Sequence, residues 1–76
     1  MEQEDLLKLG YKIKYERNKR KISQFDLSLK TGLTTRSLSR IECGTNDPKY
    51  STLVKISNAL EMDLKDLLDF KLWFGY

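Results

Sequence analysis

Two short apolar stripes flank a three-residue turn, and this spacing limits what the chain can fold into more than any other feature. Leu27 and Thr31 lie four residues apart, Leu38 and Ile41 three apart, with Gly32-Leu33-Thr34 between the two sets. Steps of three and four put side chains on one face of an α-helix. The ends of both helices are marked. Ser23-Gln24-Phe25-Asp26 fits a capping box in outline, although Asp is shorter than the preferred Glu. Gly32 falls where a helix often ends in a left-handed residue. Thr34 offers its hydroxyl to the first-turn amides of the next helix, and Gly44 closes that helix.

The rest of the chain is also helical in period. Leu6, Leu9, Ile13 and Arg17 form one stripe of a first helix from about Glu4 to Lys19. Gly10 inside it costs roughly 1 kcal/mol relative to Ala, which suggests a close approach by another helix. Asn18 to Lys21 reads as the exit. After the breaker Asn46-Asp47-Pro48, Ser51 is expected to cap a fourth helix carrying Leu53, Ile56 and Leu60. Asp63 is expected to cap a fifth with Leu64, Leu67 and Leu68. None of these stripes can be buried without its neighbours. The expectation is an all-α, compact five-helix bundle in one domain over residues 1–69, with an aromatic tail over 70–76.

Composition narrows the chemistry. With 76 residues, one cysteine and no histidine, the chain cannot form an internal disulfide. Metal sites built from Cys and His are out of reach, as is His-based acid–base catalysis. Cys43 reads as a packed, unreactive small residue near a helix end. No enzyme, cofactor, metal or small-molecule ligand is expected. No apolar run approaches the roughly 20 residues of a membrane span, and MEQEDLL lacks the basic and apolar regions of a signal peptide, so a cytoplasmic protein is expected.

The net charge is only +3, from 14 basic and 11 acidic residues. Its distribution says more. Lys12, Lys14, Arg17, Lys19, Arg20 and Lys21 face one acid, Glu16, and Arg36, Arg40 and Lys49 follow. Acids gather at the two ends. One positive face suits a polyanionic partner; a solvated helix end fits the same run, and charge alone does not separate the two.

The third helix does separate them. Leu38 and Ile41 hold it to the body, so Thr35, Arg36, Ser39 and Arg40 occupy the opposite face, with Ser37 at its edge. Arg can donate two bonds to guanine O6 and N7, and Thr and Ser can meet several bases. Two short helices, a tight turn with a glycine and a polar outer face make a helix-turn-helix suited to the major groove of double-stranded DNA.

The block SQFDLSLKTGLTTRSLSRIECGTNDPKYSTLVKISNALEMDLKDLL resembles the phage repressor and Cro-like helix-turn-helix family, the XRE type. The resemblance rests on an ordered set: Ser23-Gln24, Gly32-Leu33-Thr34, Ile41-Glu42-Cys43-Gly44, Pro48, then Leu53, Ile56, Ala59 and Leu60. It implies a DNA-binding domain that usually works as a homodimer on a partly palindromic operator. It further implies base contacts from Thr35, Arg36, Ser37 and Arg40. Gln24, Thr34, Ser39, Asn46 and Lys49 would lie along the DNA backbone, Gln24 would also brace the recognition helix, and Arg17 and Glu42 would be a supporting pair. Two positions depart from the pattern. Ser28 stands where Ala is usual, so its hydroxyl needs a partner. Phe25 brings an aromatic ring onto the second helix, where it either packs toward the first helix, the favoured expectation, or lies near the DNA backbone.

The tail is the least determined part. Phe70, Leu72, Trp73 and Phe74 either cover the core or meet a second copy, with the dimer contact favoured; contact with another protein, such as a toxin, is the third option. The expected function is a sequence-specific DNA-binding transcriptional regulator, most often a repressor in this family. The alternative is a protein-interaction module such as an antitoxin.

Overall fold

A computed structural model describes residues 1–69. It contains α1 (Gln3–Lys19), α2 (Gln24–Thr31), α3 (Thr35–Glu42), α4 (Tyr50–Ala59) and α5 (Leu64–Leu67), with no strand among the described residues. α1 packs on α3 and α5, α2 on α3 and α4, and α4 on α5. The tail, with Phe70, Leu72, Trp73 and Phe74, lies outside the described residues.

The caps of α2 and α3 form as the sequence suggests. Ser23 Oγ accepts from the Asp26 amide at 3.0 Å, and Asp26 Oδ2 accepts from the Ser23 amide at 3.4 Å. Gly32 ends α2 with φ 79°. Thr31 Oγ1 donates to the Leu27 carbonyl (2.8 Å) and accepts from the Leu33 amide (3.1 Å), so one hydroxyl ties the last turn of α2 to the turn itself. Thr34 Oγ1 accepts from the Ser37 amide at 3.0 Å and opens α3.

Two expected caps differ. Ser51 does not cap α4; Lys49 holds that position, and its carbonyl accepts from the Leu53 amide at 3.1 Å. Lys49 is extended, with φ −72° and ψ 159°, so the helix starts at Tyr50, two residues after Pro48. Asp63 does precede α5, but its carboxylate makes no cap bond. Its main-chain carbonyl accepts from the Asp66 and Leu67 amides instead.

Leu9, Ile13, Leu27, Leu38, Ile41, Leu53, Ile56, Leu60 and Leu67 form one buried cluster, to which every helix contributes. Each such leucine or isoleucine contributes about 1.5–3 kcal/mol by leaving water. Leu64 and Leu68 pack on its edge. Gly10 faces the end of α3: a Cβ there would lie 2.5 Å from the carbonyl oxygens of both Ile41 and Glu42. The missing side chain lets the two backbones meet.

Phe25 corrects the packing expectation. It is 62% exposed, because the inward direction of α2 belongs to Leu27, two residues and about 200° further round the helix. Cys43 is exposed at the C-cap of α3 rather than packed. Ser28 Oγ finds its partner in the Phe25 carbonyl, at 2.8 Å.

Candidate nucleic-acid interface

The outer face of α3 carries the residues expected to read bases. Thr35, Arg36 and Arg40 are exposed, Ser37 and Ser39 are half-buried, and Leu38 and Ile41 lie in the core beneath them. Arg36 and Arg40 stand one turn apart, and no acid among the described residues pairs with either guanidinium. Both forks are therefore available to acceptors outside the chain. Four residues of helix rise about 6 Å, close to two base steps. Thr34 is already engaged: besides capping α3, its hydroxyl donates to Ser37 Oγ at 3.0 Å.

A polar hub holds this face in place. Arg17 Nε donates to Glu42 Oε2 at 2.8 Å and Arg17 Nη2 to Glu42 Oε1 at 3.0 Å, a bidentate pair from α1 to α3. Arg17 Nη1 donates to the Ile22 carbonyl at 2.9 Å, and Gln24 Nε2 from α2 donates to Glu42 Oε1 at 3.1 Å. The Arg17 and Glu42 side chains are 10% and 4% exposed. A buried pair adds little net stability once desolvation is counted, but removing either partner strands the other. Gln24 spends one amide hydrogen here, and its second remains for another acceptor.

The basic run is only partly a surface feature. Glu16, itself buried, pairs with Lys12 Nζ at 2.9 Å and Arg20 Nη1 at 2.6 Å, each one turn away, and Arg20 also donates to the Glu16 carbonyl. Burial pushes the Glu16 pKa up, but hydrogen bonds from Arg20 and Lys12, with their charges, outweigh it and hold the carboxyl below its ordinary value. Arg17 belongs to the hub. Lys14, Lys19 and Lys21 are left exposed, so half of the run supports the fold rather than a positive surface.

On the other flank of α3, Asn46 and Lys49 are exposed in the loop before α4. With Ser37 and Thr52 they line a cleft of about 300 Å³ beside the reading face. Thr52 was absent from the expected site; its signal was a hydroxyl in the first turn of α4, three residues after Lys49. The loop's carboxylate, Asp47, is bonded by the Met1 amino group at 2.8 Å, and this hydrogen bond, with the Asp47 charge, raises the amine's pKa. The structure thus brings Ser37, Asn46 and Lys49 together on one side of α3, and Gln24 and Glu42 together on the other.

Two short helices, the tight Gly32 turn and a braced, outward-facing second helix define a helix-turn-helix domain. A helix-turn-helix family profile matches residues 13–67, and the chain belongs to that family. It is 36% identical over 52 residues to YqaE of Bacillus subtilis (strain 168), described as an uncharacterized HTH-type transcriptional regulator; the match covers 68% of this chain and 45% of YqaE. The chain spans less than half the length of the curated relatives it matches. Among solved structures it resembles the restriction-modification controller protein C.AhdI from Aeromonas hydrophila, with a TM-score of 0.81 and 25% identity, covering 83% of this chain and 96% of that one. It also resembles a point mutant of the restriction-modification controller protein C.Esp1396I, with a TM-score of 0.84 and 25% identity over 100% of both chains. Among the described residues, no helix is long and apolar enough to cross a membrane.

Proposed function

We propose that the protein is a sequence-specific DNA-binding regulator of transcription, acting as a repressor in the cytoplasm. The observation that carries this reading is the pair Arg36 and Arg40, unpaired by any acid among the described residues and one turn apart on the outer face of a helix whose inner face is locked into the core. The names of its relatives, HTH-type transcriptional regulators and restriction-modification controllers, support it. In the proposed mechanism α3 enters the major groove, with Arg36, Arg40 and Thr35 at base edges and Ser37 beside them. Gln24, Asn46 and Lys49 meet phosphates on either flank. Two copies bind half-sites about one DNA turn apart, and the bound dimer blocks polymerase. The reading includes no catalytic step.

Selection of duplexes from a random pool by the purified chain, near physiological salt, tests this reading. A two-fold symmetric motif is the expected product, and its half-site spacing reports the dimer geometry. Recovery of no motif, with only weak salt-sensitive binding, would move the assignment to a protein-interaction module. The exposed Phe25 and Leu29, one turn apart on α2, are the surface that favours that second reading.

A further inference from the structure

The outer face of α1 carries a surface that the helix-turn-helix does not use. Leu7, Tyr11, Lys14, Tyr15 and Asn18 follow one another at helical spacing and line a groove of about 410 Å³ whose remaining wall is Glu42 of α3. Tyr11 is 61% exposed and Leu7 50%. These residues point away from the core stripe of Leu6, Leu9 and Ile13.

Two observations decide what such a groove accepts. The first is charge. Glu42 is neutralised by Arg17, Lys14 is exposed with no ion pair among the described residues, and Lys19 Nζ lies 5.8 Å from the centre of the Tyr15 ring. The groove is therefore cationic toward the C-terminal end of α1. The second is continuity. Its wall, Glu42, is the residue that receives Gln24 from the start of α2, and it lies one turn beyond Ser39 on the reading helix. The groove and the α2 flank of the candidate DNA interface thus share Glu42.

We propose that the α1 groove extends the DNA interface: Lys14 and Asn18, with the tyrosine rings beside them, hold the phosphodiester backbone just outside the half-site read by α3. The ammonium and the amide supply hydrogen-bond donors to phosphate oxygens. This contact carries no base information; it lengthens the footprint and raises affinity on any flank sequence. The proposal rests on the DNA-binding reading above.

The test uses two duplexes sharing one selected core, one ending at the core and one extended by half a helical turn on each side. The full chain is compared with Lys14→Ala and Asn18→Ala. Lys65→Ala, beside Asp66 on α5, controls for lost charge, and thermal unfolding checks each fold. On the longer duplex Lys14→Ala should flatten the slope of log affinity against log salt by about 1.8, the value of two lost phosphate contacts, one from each bound copy. It should match the parent on the core duplex, and Lys65→Ala should match the parent on both. Parental affinity and slope of Lys14→Ala and Asn18→Ala on the longer duplex would overturn the proposal and give the groove to an acidic protein partner. Equal weakening on both duplexes would overturn it as well. A parent chain that prefers no duplex removes the functional reading and this proposal with it, whereas the variant comparison fails the proposal alone.

Discussion

Gln24 and Arg17 donate to the same oxygen, Glu42 Oε1, at 3.1 and 3.0 Å. One carboxylate thereby joins α1, the start of α2 and the end of α3. Glu42→Ala leaves the Arg17 guanidinium buried without its partner, and a loss of about 3–5 kcal/mol is expected in urea unfolding. The double change Arg17→Met with Glu42→Leu should recover most of that stability. It should not recover DNA affinity, since apolar packing restores volume but not the hydrogen bond that orients Gln24.

Arg36 and Arg40 predict the reverse split. Each is exposed and supports nothing beneath it, so Arg36→Ala and Arg40→Ala should unfold at the parental temperature. Each should lose about 1–3 kcal/mol of binding at one base position and relax the preference there. Competition binding against a panel of single-base operator variants measures this. Equal loss on every sequence would reassign that arginine to phosphate.

Two glycines should respond differently to the same methyl group. At Gly10 it meets two carbonyl oxygens at 2.5 Å, and backbone cannot move aside cheaply. Gly10→Ala should cost more than the ~1–3 kcal/mol usual for overpacking, despite its better helix propensity. At Gly32 the space is open but φ is +79°, so Gly32→Ala should cost only about 1–2 kcal/mol, from left-handed strain. Urea midpoints of the two variants should fall in that order.

Acid should weaken the fold through Glu16. Its carboxyl is held below the ordinary 4.5, so its contribution is fully present above that value and is lost as pH falls through the depressed folded value. Glu16→Gln should be less stable than the parent at neutral pH, because Arg20 and Lys12 lose the negative charge they share. The gap should close in acid as the parent's carboxyl protonates. Urea titrations at pH 7 and at successively lower pH check both ends.

Much of this architecture is legible in the residues, because short-range rules decide it. The α2 capping box, the Thr34 cap, the left-handed Gly32 and the inward stripes each depend on neighbours within four positions. The errors have the same physical character. Ser51 has the chemistry of a cap, but α4 starts after Lys49, two residues sooner than a Ser51 cap requires. Phe25 has the bulk of a core residue but the wrong angle, which the position of Leu27 already encodes. The basic run misleads because charge is additive along a sequence while pairing is not: Glu16 stands four residues from both Lys12 and Arg20 and absorbs them. The Glu42 hub spans 25 positions to Arg17 and 18 to Gln24, and no local pattern connects such residues. Only the family resemblance anticipated the Arg17–Glu42 pair and the brace from Gln24.

The bare contact at Gly10 has a bearing on how such a protein changes its target. Backbone resting on backbone leaves no side chain to rearrange, so α3 sits at a height and tilt that are indifferent to what its outer face displays. On the proposed reading, Thr35, Arg36 and Arg40 are an exchangeable reading head on a stiff mount, and new operators would be reachable by replacing a few exposed side chains, with the frame beneath them left as it is.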